Sequence, residues 1–197
     1  MVKKIFVYPE MSKASLDIVM SFGERLSSFI INEAFRDTGL KSKFVDARDL
    51  IKTDDNFGNA NVDIEATDKS IKSLLSNRGE SRYSLAVAGG FVGSNKNKVT
   101  TTLGRGGSDY TASLIGAALD ASVVEIWTDV DGLMTADPRK DKNAKTITEV
   151  SYEKAEEMAN AGAKVIHPKT MKPARLKGIP IIIKNTFNPS GNRTTIK

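Results

Sequence analysis

The chain has 197 residues, 40% hydrophobic and 27% charged, enough for one good-sized domain or two small lobes sharing a core, with no apolar run approaching a membrane span. It has no cysteine and one histidine, His167, which excludes disulfides and thiolate sites and nearly excludes histidine metal centres and Ser–His nucleophiles. The net charge of +5 suits an anionic small-molecule substrate, since the basic residues are scattered and 7% aromatics provide no platform for nucleic acid.

The opening "MVKKIFVYPEMSKAS" has a basic start but no apolar core ahead of a small-residue cleavage site, so it is not read as a signal peptide. With the missing cysteines, this sets the expected compartment as the cytoplasm. From 12 to about 35, Leu16, Val19, Met20, Leu26, Phe29, Ile30, Ala34 and Phe35 recur at helical spacing, with Gly39 as the stop. Gly23 lies inside this pattern and predicts a bend or a close backbone approach. Residues 42–47 predict a short strand, 52–63 a loop rich in Asn, Asp and Gly, and 64–75 a helix. The apolar run 83–91, "YSLAVAGGF", predicts a buried strand ending in a glycine pair. A helix through Leu119 follows, then a second buried strand over 122–130 and a loop. Helices are predicted over 152–160 and from Pro168, and a third apolar strand over 179–187. Short buried strands alternating with helices indicate an α/β fold with a mainly parallel sheet. Ligands of such sheets lie beyond the carboxyl ends of the strands, where the loops 89–107, 128–139 and the segment from 185 onward fall.

Three stretches carry chemistry. In "TTLGRGGSDYTASL" (101–114), Gly104, Gly106 and Gly107 surround Arg105 and lead into a helix. Glycines permit positive φ and leave amides uncovered, a helix N-terminus offers further donors, and an arginine fork matches a carboxylate or phosphate. Together they describe an anion site, with Ser108 and Asp109 as the expected N-cap pair. The plain alternative is a turn with a capped helix, and capping alone is the default for Asp109. In "WTDVDGLMTADPR" (127–139), Thr128 and Asp129 at a strand end can hold a ribose hydroxyl or an adenine amine, and Arg139 can meet a phosphate. On spacing alone, a turn built on Asp-Gly and Asp-Pro is the stronger reading. In "AGAKVIHPKT" (161–170), Lys164 can reach phosphate or lie solvated, and His167 before Pro168 reads as a packing or capping residue. Glu24, in "SFGERLSS", reads from helix pattern alone as a surface glutamate.

Placed together, "SFGERLS", "FVDARDLIKTDDNFGNA", "GGFVGSN", "TTLGRGGSDYTA", "EIWTDVDGLMTADPR", "AEEMANAGAKVIHPKT" and "IPIIIKNTFNPSGNRTTI" resemble, in this order, the kinase domain of aspartokinases within the amino acid kinase family. "TDVDGL" with its following "DP" is similar to several related kinases; the glycine stretch, "GERLS" and "GAKVIHP" are closer to aspartokinases in particular. The resemblance implies an amino acid kinase-like (carbamate kinase-like) three-layer α/β/α fold and ATP-dependent phosphorylation of the L-aspartate side-chain carboxylate to 4-phospho-L-aspartate. That reaction is the first step towards lysine, threonine and methionine. It implies that Glu24 holds the substrate amino group, that Arg105 holds a substrate carboxylate, and that Gly106, Gly107, Ser108 and Asp109 shape the pocket. Asp109 would also orient a catalytic lysine. Thr128, Asp129, Met134, Arg139, Lys164 and Val165 would line the ATP site, with Met134 where the family usually has an aromatic residue. Mg²⁺ would bridge the phosphates, and a homodimer is the expected assembly.

The family's Lys-Phe-Gly-Gly segment, whose lysine contacts the transferring phosphate, has no counterpart in these 197 residues. Lys3 and Lys4 precede an apolar "IFVY" without the glycine pair, and the regulatory ACT-type domains are not present either. The expectation is a partial catalytic domain over 1–197, with a substrate-lobe remainder over about 1–82. The aspartate loop and nucleotide-binding lobe would span about 83–197. Such a chain is expected to bind nucleotide weakly or not at all and to turn over slowly, if ever, by itself. The competing readings are a non-catalytic nucleotide-binding or assembly subunit of a split kinase, and another amino acid kinase such as glutamate 5-kinase.

Overall fold

The computed structural model describes residues 11–76, 83–136, 141–161 and 166–197. Helix α1 (Lys13–Asp37) starts at Ser12, whose hydroxyl accepts from the Ser15 amide at 3.1 Å. It runs unbroken through Gly23, where a Cβ would meet nothing within 4 Å, so the bend or close approach expected there does not occur. Its buried residues are Asp17, Ser21, Ser28 and Asn32, while Leu16, Val19, Met20, Phe22, Leu26, Phe29 and Ile30 are exposed. The helix therefore sets its polar stripe inward, because the segments beneath it present hydrogen-bond donors rather than hydrocarbon.

After α1 come β1 (Ser42–Val45), α2 (Ala47–Leu50), β2 (Lys52–Thr53) and α3 (Ile64–Leu75), the last capped by Asp63 through the Ala66 amide at 3.0 Å. Then β3 (Leu85–Ala88) leads to a hairpin of β4 (Val92–Asn95) and β5 (Thr100–Thr102), and α4 (Gly107–Ala118) follows. Among the described residues β3 pairs in parallel with β1 alone, and β2–β4–β5 forms a separate sheet in which β2 and β4 are parallel and β4 and β5 antiparallel. A strand reading Leu-Ala-Val-Ala is usually covered on both faces. Here all four residues are only half-buried, less than the sequence leads one to expect.

The second half contains β6 (Val124–Thr128), β7 (Glu149–Val150), α5 (Tyr152–Asn160), α6 (Pro168–Leu176), β8 (Ile181–Asn185) and β9 (Thr194–Ile196). Its sheet has the order β6–β8–β9–β7, with β6–β8 and β7–β9 parallel and β8–β9 antiparallel. Among the described residues the architecture is thus α/β with one parallel two-stranded sheet and two mixed sheets, mainly parallel in pairing. Val124 and Ile126 of β6 and Ile181 and Ile183 of β8 point into a core with Leu133, Tyr152, Met171 and Ile196. Each such side chain contributes about 1.5–3 kcal/mol by leaving water. The opposite face of β6 is open: Glu125 and Trp127 are exposed, and Lys184 lies 4.4 Å from the Trp127 ring centre and 3.3 Å from Glu125. Strand β6 is therefore buried on one face only, which corrects its reading as a fully buried strand.

A second core collects Val45, Leu50, Ile51, Ile71, Leu75 and Leu103 with Leu114 and Ala118 of α4. Ala112, on the same helix, packs against the first core. Helix α4 is the shared wall, and its N-terminus is where the glycine stretch lies.

Candidate active site

The strand β5 is buried although it is all threonine, because its polar atoms are matched: Thr101 and Thr53 share a hydroxyl–hydroxyl bond of 2.7 Å. Immediately after it the chain turns through Gly104 and Gly106, both at φ 68. A Cβ on Gly104 would stand 2.7 Å from Asn59 Oδ1, and one on Gly106 would stand 2.6 Å from His167 Cβ. Both positions thus need glycine for conformation and for space.

Gly106 is itself the cap of α4, left-handed and without a side-chain hydrogen bond, and Gly107 is the first helical residue. Ser108 and Asp109 lie inside the first turn, so the expected Ser-Asp N-cap pair is not formed. The glycine loop supplies the left-handed entry by itself: the Gly107 amide donates to the Gly104 carbonyl at 3.1 Å, and no cap side chain accepts from the amides of Ser108 and Asp109. Asp109 is half-buried, and among the described residues no donor or cation pairs with its carboxylate. Burial pushes its pKa up. Ser108 and Arg105 are exposed, and no described side chain pairs with the Arg105 guanidinium.

Glu24 joins this region from α1. Its Oε1 accepts from the Gly90 amide at 2.8 Å, leaving the second carboxylate oxygen available. Gly90 is pressed against Ser108, where a Cβ would come within 2.7 Å of Ser108 Cα. Glu24, the glycine pair after β3 and the first turn of α4 are thereby packed together. The helix pattern that made Glu24 a surface residue missed this; the signals were the glycine pair closing an apolar strand and the resemblance carried by "GERLS".

On the other side, His167 caps α6, its Nδ1 accepting from the Lys169 amide at 3.2 Å, in agreement with a capping histidine. Burial first, then the charges of Lys169 and Arg105, lower its pKa. The Lys169 ammonium donates to the Leu103 carbonyl at 2.5 Å and lies 5.7 Å from the Tyr110 ring centre. Burial lowers its pKa. Lys169 carried no sequence signal, yet with Arg105 it places two cations at the glycine loop.

The other predicted group lies at the carboxyl ends of β6 and β8. Thr128 closes β6 opposite Asn185, and its hydroxyl donates to Asp129 at 3.2 Å. Asp131 accepts from Asn185 Nδ2 at 2.8 Å. Gly132, at φ 96, backs onto Thr194, whose hydroxyl accepts from the Leu133 amide at 2.8 Å and so fixes the loop. Met134 forms a bridge with Thr146 and is half-buried. Arg139, Lys164 and Val165, like Lys3 and Lys4, lie outside the described residues. Among the described residues no three acidic or histidine side chains gather as a metal cluster, and no helix is long and apolar enough to cross a membrane.

Residues 4–185 match the model of the amino acid kinase family. The lysine-sensitive aspartokinase 3 of Escherichia coli is 41% identical over 186 residues, covering 94% of this chain and 41% of that protein. The crystal structure of E. coli aspartokinase III in complex with aspartate and ADP, in its R-state, superposes with a TM-score of 0.88 at 40% identity, covering 95% of this chain and 42% of that one. The carbamate kinase of Giardia lamblia shares the fold alone, with a TM-score of 0.57 at 14% identity over 98% of this chain and 75% of that one. The chain thus spans about two fifths of the length of the E. coli relative.

Proposed function

Because this chain belongs to the amino acid kinase family, we propose that its glycine loop is the acceptor site of an aspartate kinase, transferring the γ-phosphoryl group of ATP to the side-chain carboxylate of L-aspartate. One observation carries the reading: an acidic and a basic group converge on one glycine loop. Glu24 is tied to Gly90, Gly90 rests on Ser108, and three residues earlier Arg105 is exposed, with no partner among the described side chains. An α-amino acid presents an ammonium and a carboxylate, and this pairing complements both. The related E. coli structure was solved with aspartate and ADP.

In this reading the free oxygen of Glu24 takes the ammonium, Arg105 takes a carboxylate, and Gly106, Gly107 and Ser108 form the wall. A side-chain oxygen of aspartate attacks the γ-phosphorus, the bond to the bridging oxygen breaks, and ADP leaves. Positioning and positive charge perform most of such a transfer. The half-buried carboxylate of Asp109 is available to orient a cation at the reacting phosphate, the role of the catalytic lysine's partner. Thr128, Asp129 and Met134, with Arg139, Lys164 and Val165, would line the nucleotide site. Mg²⁺ would neutralise phosphate charge when bound, and among the described residues no three acidic or histidine side chains gather as a cage for it.

By itself the 197-residue chain is expected to turn over slowly, because among the described residues α1 leaves most of its large apolar side chains exposed and β3 pairs with β1 only. That observation also favours the second reading, a nucleotide-binding subunit that works when another polypeptide covers those faces. With ATP and Mg²⁺, the purified chain is expected to release ADP slowly with L-aspartate and not with L-glutamate. Arg105→Ala should remove the aspartate-dependent part. Release driven by glutamate would move the chain to another acceptor within the family. Rapid turnover with aspartate would keep the acceptor and overturn the claim that the uncovered faces limit the rate.

A further inference from the structure

Asp17 is 0% exposed, and no described basic side chain faces it. Its Oδ2 accepts from the amides of Gly58 and Thr102, each at 2.9 Å, and its Oδ1 accepts from the Thr102 hydroxyl at 2.9 Å. A buried carboxylate without a counter-ion is an expensive way to attach a helix, since an apolar side chain would do so without desolvating a charge. What it adds is direction, because three donors fix its oxygens in space.

The donors come from two places that shape the glycine loop. Thr102 ends β5, three residues before Arg105. Gly58 precedes Asn59, whose side chain closes off the space at Gly104. Seven residues after Asp17, two helical turns along nearly the same stripe of α1, stands Glu24, bonded to Gly90. Ser21 and Ser28, between and beyond them, return their hydroxyls to the helix carbonyls of Ile18 and Glu24. Asp17 is thus the member of the stripe that reaches the strand entering the loop, and Glu24 the one that reaches the glycine pair behind it.

We propose that Asp17 is a positioning residue, which holds the Arg105 loop in register with Glu24 on the same helix. In its assignment of Arg105 and Glu24 to one pocket, this rests on the aspartate kinase reading. Asp17→Asn keeps one acceptor oxygen and turns an amide N–H₂ towards donors, so the loop should open more often. The Arg105–Gly106 bond then becomes a selective reporter of trypsin cleavage, read by mass spectrometry on the full chain. Cleavage there is expected about tenfold faster than in wild type, as for the loss of one charge-assisted bond, with faster hydrogen exchange of the amides from 103 to 107. Ile181→Val, a substitution in the separate core around β8, should lower the melting temperature without selective cleavage at Arg105.

Cleavage at Arg105 unchanged in Asp17→Asn, or raised equally by Ile181→Val at the same loss of melting temperature, overturns the proposal. Thr102→Val removes a single bond to Asp17 and keeps the fold, so if Asp17→Asn fails to fold it decides alone: about threefold faster cleavage supports the proposal and no change overturns it. Calorimetric titration with L-aspartate separates the two claims. Failure of the wild-type chain to bind aspartate counts against the kinase reading, while the cleavage result still decides whether Asp17 holds the loop.

Discussion

In β8, Ile181 and Ile183 are completely buried in a hydrocarbon core, whereas in α1 the buried residues are Asp17, Ser21, Ser28 and Asn32 and the large apolar side chains face outward. Both elements belong to one chain with one composition, yet they are held by opposite means. Hydrophobic burial around β8 is strong and non-directional. The contacts of α1 are weaker in net energy but specify angles, as when Asn32 Oδ1 accepts from the Ser42 hydroxyl at 2.5 Å and Asp17 grips Thr102. The first region supplies stability; the second sets where loops stand relative to one another, and the candidate site hangs on it.

The comparison can be broken most forcefully in the β8 core. Ile183→Ala should destabilise the chain by about 2–5 kcal/mol in a urea titration, through lost transfer energy and a residual cavity. A loss below about 1 kcal/mol would mean that this core collapses around the gap and is not rigid. Gly106→Ala comes next. It forces a side chain into a left-handed position and against His167, so a loss of about 1–3 kcal/mol is expected, together with loss of aspartate binding.

Smaller effects sharpen the second half of the comparison. Burial holds the Asp109 pKa above its ordinary value of 3.8, so the folded state retains this proton more tightly than the unfolded chain. The stabilising contribution of the protonated acid is present below pH 3.8 and is lost as pH rises through the folded pKa. Asp109→Asn should therefore raise the melting temperature at about pH 7 and leave it unchanged at about pH 3. No gain at neutral pH would mean that a cation faces the carboxylate in solution. The smallest effect is expected on the outer face of α1: Leu26→Gln should change stability by no more than about 0.5 kcal/mol, as at a solvent-facing position. A larger loss would mean that this face is covered in solution.

Much of this organisation was legible in the sequence, and the exceptions share a cause. Helices α3 and α5 fall at the predicted 64–75 and 152–160, because Asp63 and Ser151 cap them and their apolar periodicity is plain. The hairpin β4–β5 was not anticipated, since Thr100–Thr102 is polar and is buried only by virtue of partners distant in sequence. In the same way the Ser-Asp pair after the glycines looked like a cap, but the left-handed Gly106 performs the entry two residues earlier. Periodicity identified α1 and misled about its orientation, because the burial of Asp17 depends on donors 41 and 85 residues away. The glycine stretch itself could be read as an anion-binding loop, whereas its tie to Glu24 through Gly90 needed the folded chain.

The most direct measurement is a calorimetric titration of the 197-residue chain with L-aspartate, repeated with Arg105→Ala and Glu24→Gln. The wild-type chain should bind aspartate and discriminate against L-glutamate. Arg105→Ala should weaken binding by about 10–100-fold, the loss of a charge-assisted contact to carboxylate, and Glu24→Gln should weaken it in the same direction. Aspartate affinity that is unchanged by both substitutions, or no aspartate binding by the wild-type chain, would contradict the assignment of the glycine loop as the acceptor site.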